Sequence, residues 1–328
     1  MPNKSAIGNW QDVNRQPAIA YIFPGQGSQI PGMGKNLAEN FPAARRVFEE
    51  VDEALSFYVS RLCSDGSPEE LQLTENAQPA ILSVSVAALR AAQAEGFPAP
   101  DFVAGHSLGE YSALVAAGSL TLADAARTVR ARGRYMQEAV PEGKGSMAAV
   151  IGATLADIEK VCRDVSQGQV CSPANINSPS QVVIAGNTEA IDRAVEPLKD
   201  IGAKRVIKLK VSAPFHCALM MPAQEHLAED LKGLSLDDLR VPLVSNVDAI
   251  LVSKASAARD SLVRQVSSPV RWLESVELLI NQGVDTIVEI GPGKVLSGLV
   301  RQINREVKCF NVEDSPSLKA TGAGLEVF

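Results

Sequence analysis

Short apolar runs alternate along this 328-residue chain with stretches of helical periodicity, and that alternation leaves few folds open. Strands that read as unbroken apolar runs need cover on both faces. Helices lying between them in the chain supply it, so the order predicts an α/β protein with a mostly parallel sheet. The run Ala18–Phe23 (AIAYIF) is the first such strand and ends in the turn-rich PGQGSQ. Helical patterns follow at 41–56 and from Asn76 through AILSVSVAALRAA. Next come a short strand at 101–105, a tight turn at His106 and Ser107, and helices at 108–117 and 122–139. Thr121 stands where the N-cap of the last helix belongs. Further strands are expected at 241–246, 286–290 and 308–312.

The rhythm changes after PEGKG at 141–145. SMAAVIGA, TLADIEKVCRDV, VCSPANI, QVVIAG, TEAIDRAVEPLKDIG and KRVIKLKV read β-α-β-β-α-β, the split βαβ order of a ferredoxin-like unit. The expected organisation is a flexible lead-in at 1–17, a large α/β body from 18–142 and 212–313, an inserted ferredoxin-like α+β subdomain at 143–211, and a loose tail at 314–328.

The net charge of −7 argues against general nucleic-acid binding, which needs a basic surface. Cys63, Cys162, Cys171, Cys217 and Cys309 are scattered, odd in number and without CxxC spacing, which fits reduced thiols better than a disulfide or zinc framework. The polar first seventeen residues do not read as a secretory signal, and no apolar run is long enough to span a bilayer. A cytoplasmic protein is expected, with no membrane contact and no metal.

Gly105-His106-Ser107-Leu108-Gly109 matches G-x-S-x-G between an apolar strand and a helix. The glycines permit a sharp bend that exposes the Ser107 hydroxyl at a helix start, where unpaired backbone N–H groups await a developing oxyanion. A pentapeptide also recurs by chance, and its context between strand and helix is what favours a nucleophile here. A serine hydroxyl needs a base. His106 adjoins the serine and points away from its hydroxyl if the bend is an elbow, which leaves it to line the pocket. His226 lies on the flank of a helical stripe and reads as a surface residue. His216, in SAPFHCALM between strand and helix, is the best base, the alternative being a capping or packed histidine.

On the helix TLADAARTVRARGRYMQEAV, Arg127, Arg130 and Arg134 share one face, as in a solvated stripe. Arg132 instead joins Leu122, Ala125, Val129 and Met136 on the apolar face. A buried guanidinium needs an anion. A structural ion pair, a snorkelling side chain and a substrate carboxylate all answer that need.

FPGQGSQ (23–29), GHSLGEYSAL (105–114), RGRYMQEAVPEGKGSMAAV (132–150), NSPSQVVIAG (177–186), HCALM (216–220) and VEIGPGKVLSGL (288–299) together resemble the bacterial malonyl-CoA:acyl carrier protein transacylases and the acyltransferase domains of fatty-acid and polyketide synthases. The motifs stand in family order over most of the chain. The resemblance implies an α/β-hydrolase-like body with a ferredoxin-like subdomain. It also implies Ser107 as nucleophile, His216 as base and Arg132 as binder of the malonyl carboxylate. The backbone carbonyl of Gln265 would orient the imidazole, and the N–H groups of Gln26 and Leu108 would form the oxyanion hole. His106 and Phe215 would line the substrate pocket, Phe215 crowding a branching methyl. Malonyl-CoA and a phosphopantetheinylated acyl carrier protein are the implied partners.

Neither GPGKVLS nor GQGSQ has the spacing of a phosphate loop or dinucleotide turn, so no nucleotide cofactor is expected; GPGKVLS reads as a turn supporting the active-site mouth. A hydrolase is the first rival function, because an elbow serine with a histidine serves esters and thioesters equally. A non-catalytic carrier-protein binder is the second. Lys204, Arg205, Lys208, Lys210, Arg301 and Arg305 are candidates for a basic patch facing an acidic carrier.

Overall fold

The strand that opens the α/β pattern lies in the middle of the larger sheet of the computed structural model, which describes residues 18–209, 211 and 213–327. The expected lead-in at 1–17 and the candidate Lys210 lie outside these residues. In chain order the strands are β1 (Ala18–Phe23), β2 (Phe102–Gly105), β3 (Gly145–Ile151), β4 (Cys171–Ser178), β5 (Gln181–Asn187), β6 (Arg205–Lys208), β7 (Leu243–Val244), β8 (Leu251–Val252), β9 (Val284–Ile290) and β10 (Lys308–Val312). The larger sheet has the order β10-β9-β1-β2-β7-β8 and is parallel except for β8, which pairs antiparallel with β7.

Alternation of side chains explains why β1 is apolar throughout. Tyr21 and Phe23 join one core with Val103, Val288 and Ile290, whereas Ala20 and Ile22 join a second with Ala104, Ile287 and Trp272. Full burial of each large aliphatic residue stabilises the fold by about 1.5–3 kcal/mol. The first core lies against helices Pro42–Leu55, Thr74–Ala94 and Leu122–Glu138; the second lies against Trp272–Asn281 and Val295–Ile303. Thr121 caps helix Leu122–Glu138 as expected, its hydroxyl accepting from Asp124 N at 3.1 Å. On that helix Leu122, Ala125, Val129, Arg132 and Met136 are buried, Arg127 and Arg134 are exposed, and Arg130 lies over the Phe57 ring.

The smaller sheet is antiparallel in the order β4-β5-β3-β6, the ferredoxin-like arrangement. One face carries Ala148, Val150, Val182 and Ile184 against its own helices Leu155–Ser166 and Thr188–Asp200. The other face, with Met147, Ala149, Val183 and Ala185, continues the main core. Backbone bonds stitch β4 to the body: Ile176 N donates to Val270 O and Val270 N to Ala174 O, both at 2.9 Å.

Two expectations need correcting. The strand predicted at 241–246 shrinks to Leu243–Val244, because the chain turns after it and pairs back as β8. The expected loose tail forms a helix, Ser315–Gly324, that packs against β10 through Phe310, with Leu318 and Thr321 buried. Its start is encoded locally: Asp314 and Ser317 form a capping box and Pro316 occupies the first turn. Among the described residues no helix is long and apolar enough to cross a membrane, and no group of three or more His, Cys, Asp or Glu side chains could hold a metal ion.

Candidate active site

At the carboxyl end of β2 the chain turns into helix Gly109–Ala116 within four residues, too sharply for side chains at the flanks. A Cβ added at Gly105 would stand 1.9 Å from the Gly109 carbonyl carbon, and one at Gly109 would stand 2.1 Å from Phe23 O. Between them Ser107 takes φ +52°, a left-handed conformation that strains an L-residue by about 1–3 kcal/mol. Asn246, just beyond β7, pins the bend: its Oδ1 accepts from Ser107 N and its Nδ2 donates to Gly105 O, both at 2.6 Å.

His216, also left-handed at φ +60°, sits directly opposite the serine hydroxyl. Its Nδ1 lies 2.8 Å from Gln265 O, and a carbonyl can only accept, so Nδ1 carries the proton. Nε2 is then an acceptor and takes the Ser107 hydroxyl at 2.7 Å. The histidine is 3% exposed, and burial, reinforced by the positive Arg132, pushes its pKa down to about 3 against the opposing pull of the Gln265 carbonyl. The imidazole is therefore neutral at physiological pH, with a free lone pair aimed at the serine.

Arg132 completes the group. It is 1% exposed; Nη1 donates to Gln78 Oε1 at 2.8 Å, and Nη2 donates to Gln265 Oε1 at 2.9 Å and to Ser107 Oγ at 3.0 Å. Its Nε finds no partner among the described residues. No carboxylate pairs with the guanidinium, so the structural ion pair left open by the sequence is absent among the described residues. Burial lowers its pKa, while Tyr111 and Glu110 pull it back up.

A single cavity is lined by Gln26, His106, Ser107, Leu108, Arg132, Phe215 and His216, so every site residue named from the sequence meets there, with Gln265 directly beneath. His106 turns away from the hydroxyl, its Nε2 2.9 Å from Asn177 Oδ1 on β4, and burial lowers its pKa. His226 is exposed beside Tyr135. A groove of about 350 Å³ continues outward between Gln26, His106 and the β4–β5 side chains Asn175, Asn177 and Gln181. Val295, Leu296 and Leu299 from the GPGKVLS region form its far side. Gly291, at φ +134°, lets that turn press against Pro24, where a Cβ would stand 2.9 Å from Pro24 Cδ.

Sequence reading missed Gln78, Glu110, Asn246 and the pocket role of Asn175 and Asn177. Gln78 and Glu110 did carry a signal akin to the one that exposed Arg132: each is a long polar side chain in a mostly apolar, buried stretch of its helix. Asn246 carried none, since an asparagine after a short strand reads as a turn.

The acyl transferase domain family model matches residues 20–322. The chain is 49% identical over 302 residues to malonyl CoA-acyl carrier protein transacylase of Bacillus subtilis, covering 92% of this chain and 95% of the relative. It is 50% identical over 285 residues to the protein of the same name from Escherichia coli K12, covering 87% and 92%. A malonyl-transacylase solved in complex with its type II PKS acyl-carrier protein superposes with TM-score 0.92 at 47% identity, over 94% of this chain and 99% of that one. With an elbow serine, its histidine and a buried arginine around one cavity, and with the family match running from β1 into the last helix, the chain belongs to the acyl transferase domain family.

Proposed function

We propose that this chain moves a malonyl group from malonyl-CoA to the phosphopantetheine thiol of an acyl carrier protein, in fatty-acid or polyketide synthesis, by a ping-pong route through a malonyl-Ser107 ester. The distance of 3.0 Å between Arg132 Nη2 and Ser107 Oγ carries this reading. A guanidinium so close to the nucleophile suits an acyl chain whose second carboxylate lies only one methylene from the reacting carbonyl. A longer diacid would overshoot it, and a monoacid would leave the charge unmatched. The relatives' names point the same way.

In the first half-reaction His216 Nε2 takes the Ser107 proton as Oγ attacks the thioester carbonyl. The tetrahedral oxyanion is stabilised by the N–H groups of Gln26 and Leu108, both of which line the cavity. Collapse breaks the C–S bond, and the imidazolium gives its proton to the departing CoA thiolate. In the second half the carrier's thiol yields its proton to His216 and attacks the ester carbonyl, and the proton returns to Ser107 Oγ. Gln265 O holds the imidazole in the required tautomer without an acidic triad member. The walls of the outer groove, Asn175, Asn177 and Gln181, offer neutral amides to the amide-bearing pantetheine arm. Phe215, buried on the cavity wall, leaves little room for a branching methyl.

Of the candidate docking residues, Lys208 pairs with Asp192, while Lys204, Arg205, Arg301 and Arg305 have exposed side chains suited to an acidic carrier. Five unpaired cysteines agree with action in the reducing cytoplasm. Incubation with malonyl-CoA alone tests the proposal: intact mass should show a lasting malonyl adduct on Ser107. Rapid multiple-turnover release of malonate without carrier protein would make the chain a hydrolase instead.

A further inference from the structure

Glu110 lies three residues beyond the nucleophile, on the helix Gly109–Ala116, and is fully buried. Its Oε2 accepts two hydrogen bonds, from Gln265 Nε2 at 2.8 Å and from Asn246 N at 3.1 Å. Those two partners hold the rest of the machinery. Gln265 receives His216 Nδ1–H on its backbone oxygen at 2.8 Å, receives Arg132 on Oε1 at 2.9 Å and donates to Ser107 O at 3.0 Å. Asn246 clamps the elbow at Ser107 N and Gly105 O.

We infer that Glu110 is a positioning residue for acyl transfer, one buried oxygen fixing Gln265 and Asn246 and, through them, the imidazole, the guanidinium and the strained serine turn. The inference rests on the reading of Ser107 as an acyl-accepting nucleophile. Reversed, the Gln265 amide would turn an N–H toward Arg132 and an oxygen toward both Ser107 O and Glu110 Oε2, repulsive at every contact. Glu110 Oε2 joins Arg132 and Ser107 O in fixing that one orientation, and the same oxygen ties the amide to Asn246 N. Glu110 Oε1 has no partner among the described residues, so the two bonds at Oε2 are what orient the carboxyl. Burial pushes the carboxyl up to about 7, against the opposing pulls of Gln265, Asn246 and Arg132. A proton on Oε1 leaves Oε2 an acceptor, so the hydrogen-bond pattern persists through that titration.

The experiment compares the full-length wild type with Glu110→Gln, which keeps an accepting oxygen, and Glu110→Leu, which removes it at similar volume. Two readouts are needed: the rate at which a fluorophosphonate labels Ser107, and steady-state malonyl loading and transfer from malonyl-CoA to a phosphopantetheinylated acyl carrier protein, split into kcat and KM. Labelling depends only on the serine–histidine alignment, so it remains informative even where malonyl-CoA is not the substrate. A wild type that labels but never loads would overturn the malonyl reading alone. For the leucine variant both rates should fall about a hundredfold, in kcat rather than KM, the scale expected of a displaced catalytic geometry. The glutamine variant should lose no more than about threefold, because its oxygen restores both bonds. Should the leucine variant fail to fold, Glu110→Asp, which withdraws the acceptor by one methylene, should show the same loss. Wild-type labelling in the folded leucine or aspartate variant, or a glutamine variant as damaged as leucine, overturns the inference.

Discussion

The two walls of the active-site cleft are built on different terms. The body contributes Ser107, Arg132, His216 and Gln265, all tied into one hydrogen-bonded cluster, three of them fully or almost fully buried. The small antiparallel sheet contributes Asn175, Asn177 and Gln181, neutral amides along a groove, with Asn177 bonded to His106. Charges and strained backbone are concentrated on the side where low dielectric and many partners hold them in place. The other side needs only shape and neutral donors and acceptors. The lesson is a division of labour: damage to the body should appear in kcat, and damage to the small sheet in KM.

Ser107→Ala is the severest test, expected to cut malonyl loading at least about a thousandfold while leaving the fold intact by thermal melt. Loading that survives would remove the nucleophile from the body altogether. Arg132→Ala should lower kcat/KM for malonyl-CoA by about a hundredfold and shift relative preference toward acetyl-CoA, because the buried charge match disappears. Equal losses for both thioesters would show that the guanidinium holds the site together rather than reading the carboxylate.

His216 sharpens the comparison through pH. An imidazole with the ordinary pKa of 6.5 would lose about thirtyfold in reactive form at pH 5, whereas one lowered to about 3 stays neutral, so loading rates should be flat from pH 7 to pH 5. The same shift acts on stability. Between about 3 and 6.5 the unfolded chain binds a proton at His216 that the folded chain refuses, so this residue's contribution is present above 6.5 and lost as pH falls. Glu110, raised from 4.5 to about 7, acts oppositely, lowering stability as pH rises through that interval. Glu110 is common to both proteins and cancels between them, so urea midpoints of wild type and His216→Gln should diverge as pH falls below 6.5, with the variant losing less.

Smaller effects belong to the walls. Phe215→Ser should raise methylmalonyl loading relative to malonyl by about tenfold, as expected for a methyl group given space, measured by competition and intact mass. Asn177→Ala, which frees His106, should raise KM for the thioester about threefold with little change in kcat. An asparagine variant as damaging in kcat as Arg132→Ala would break the proposed division.

The sequence by itself determined the alternation that makes a parallel sheet, the ferredoxin-like order of the insertion, and the elbow, because strand period, helix period and glycine turns are local properties. It also exposed Arg132, since a charge on an apolar helical face is a contradiction visible within a few turns. The family resemblance then supplied roles that no spacing gives. What only the tertiary structure decided is the network holding these groups. Ser107 meets Asn246 across 139 residues, Glu110 meets Gln265 across 155, and Arg132 meets Gln78 across 54. Hydrogen-bond partners at such separations leave no periodicity to read: a buried amide is legible only once its neighbours are known. The tail helix was the reverse case, a local signal in Asp314, Pro316 and Ser317 that packing against Phe310 made stable.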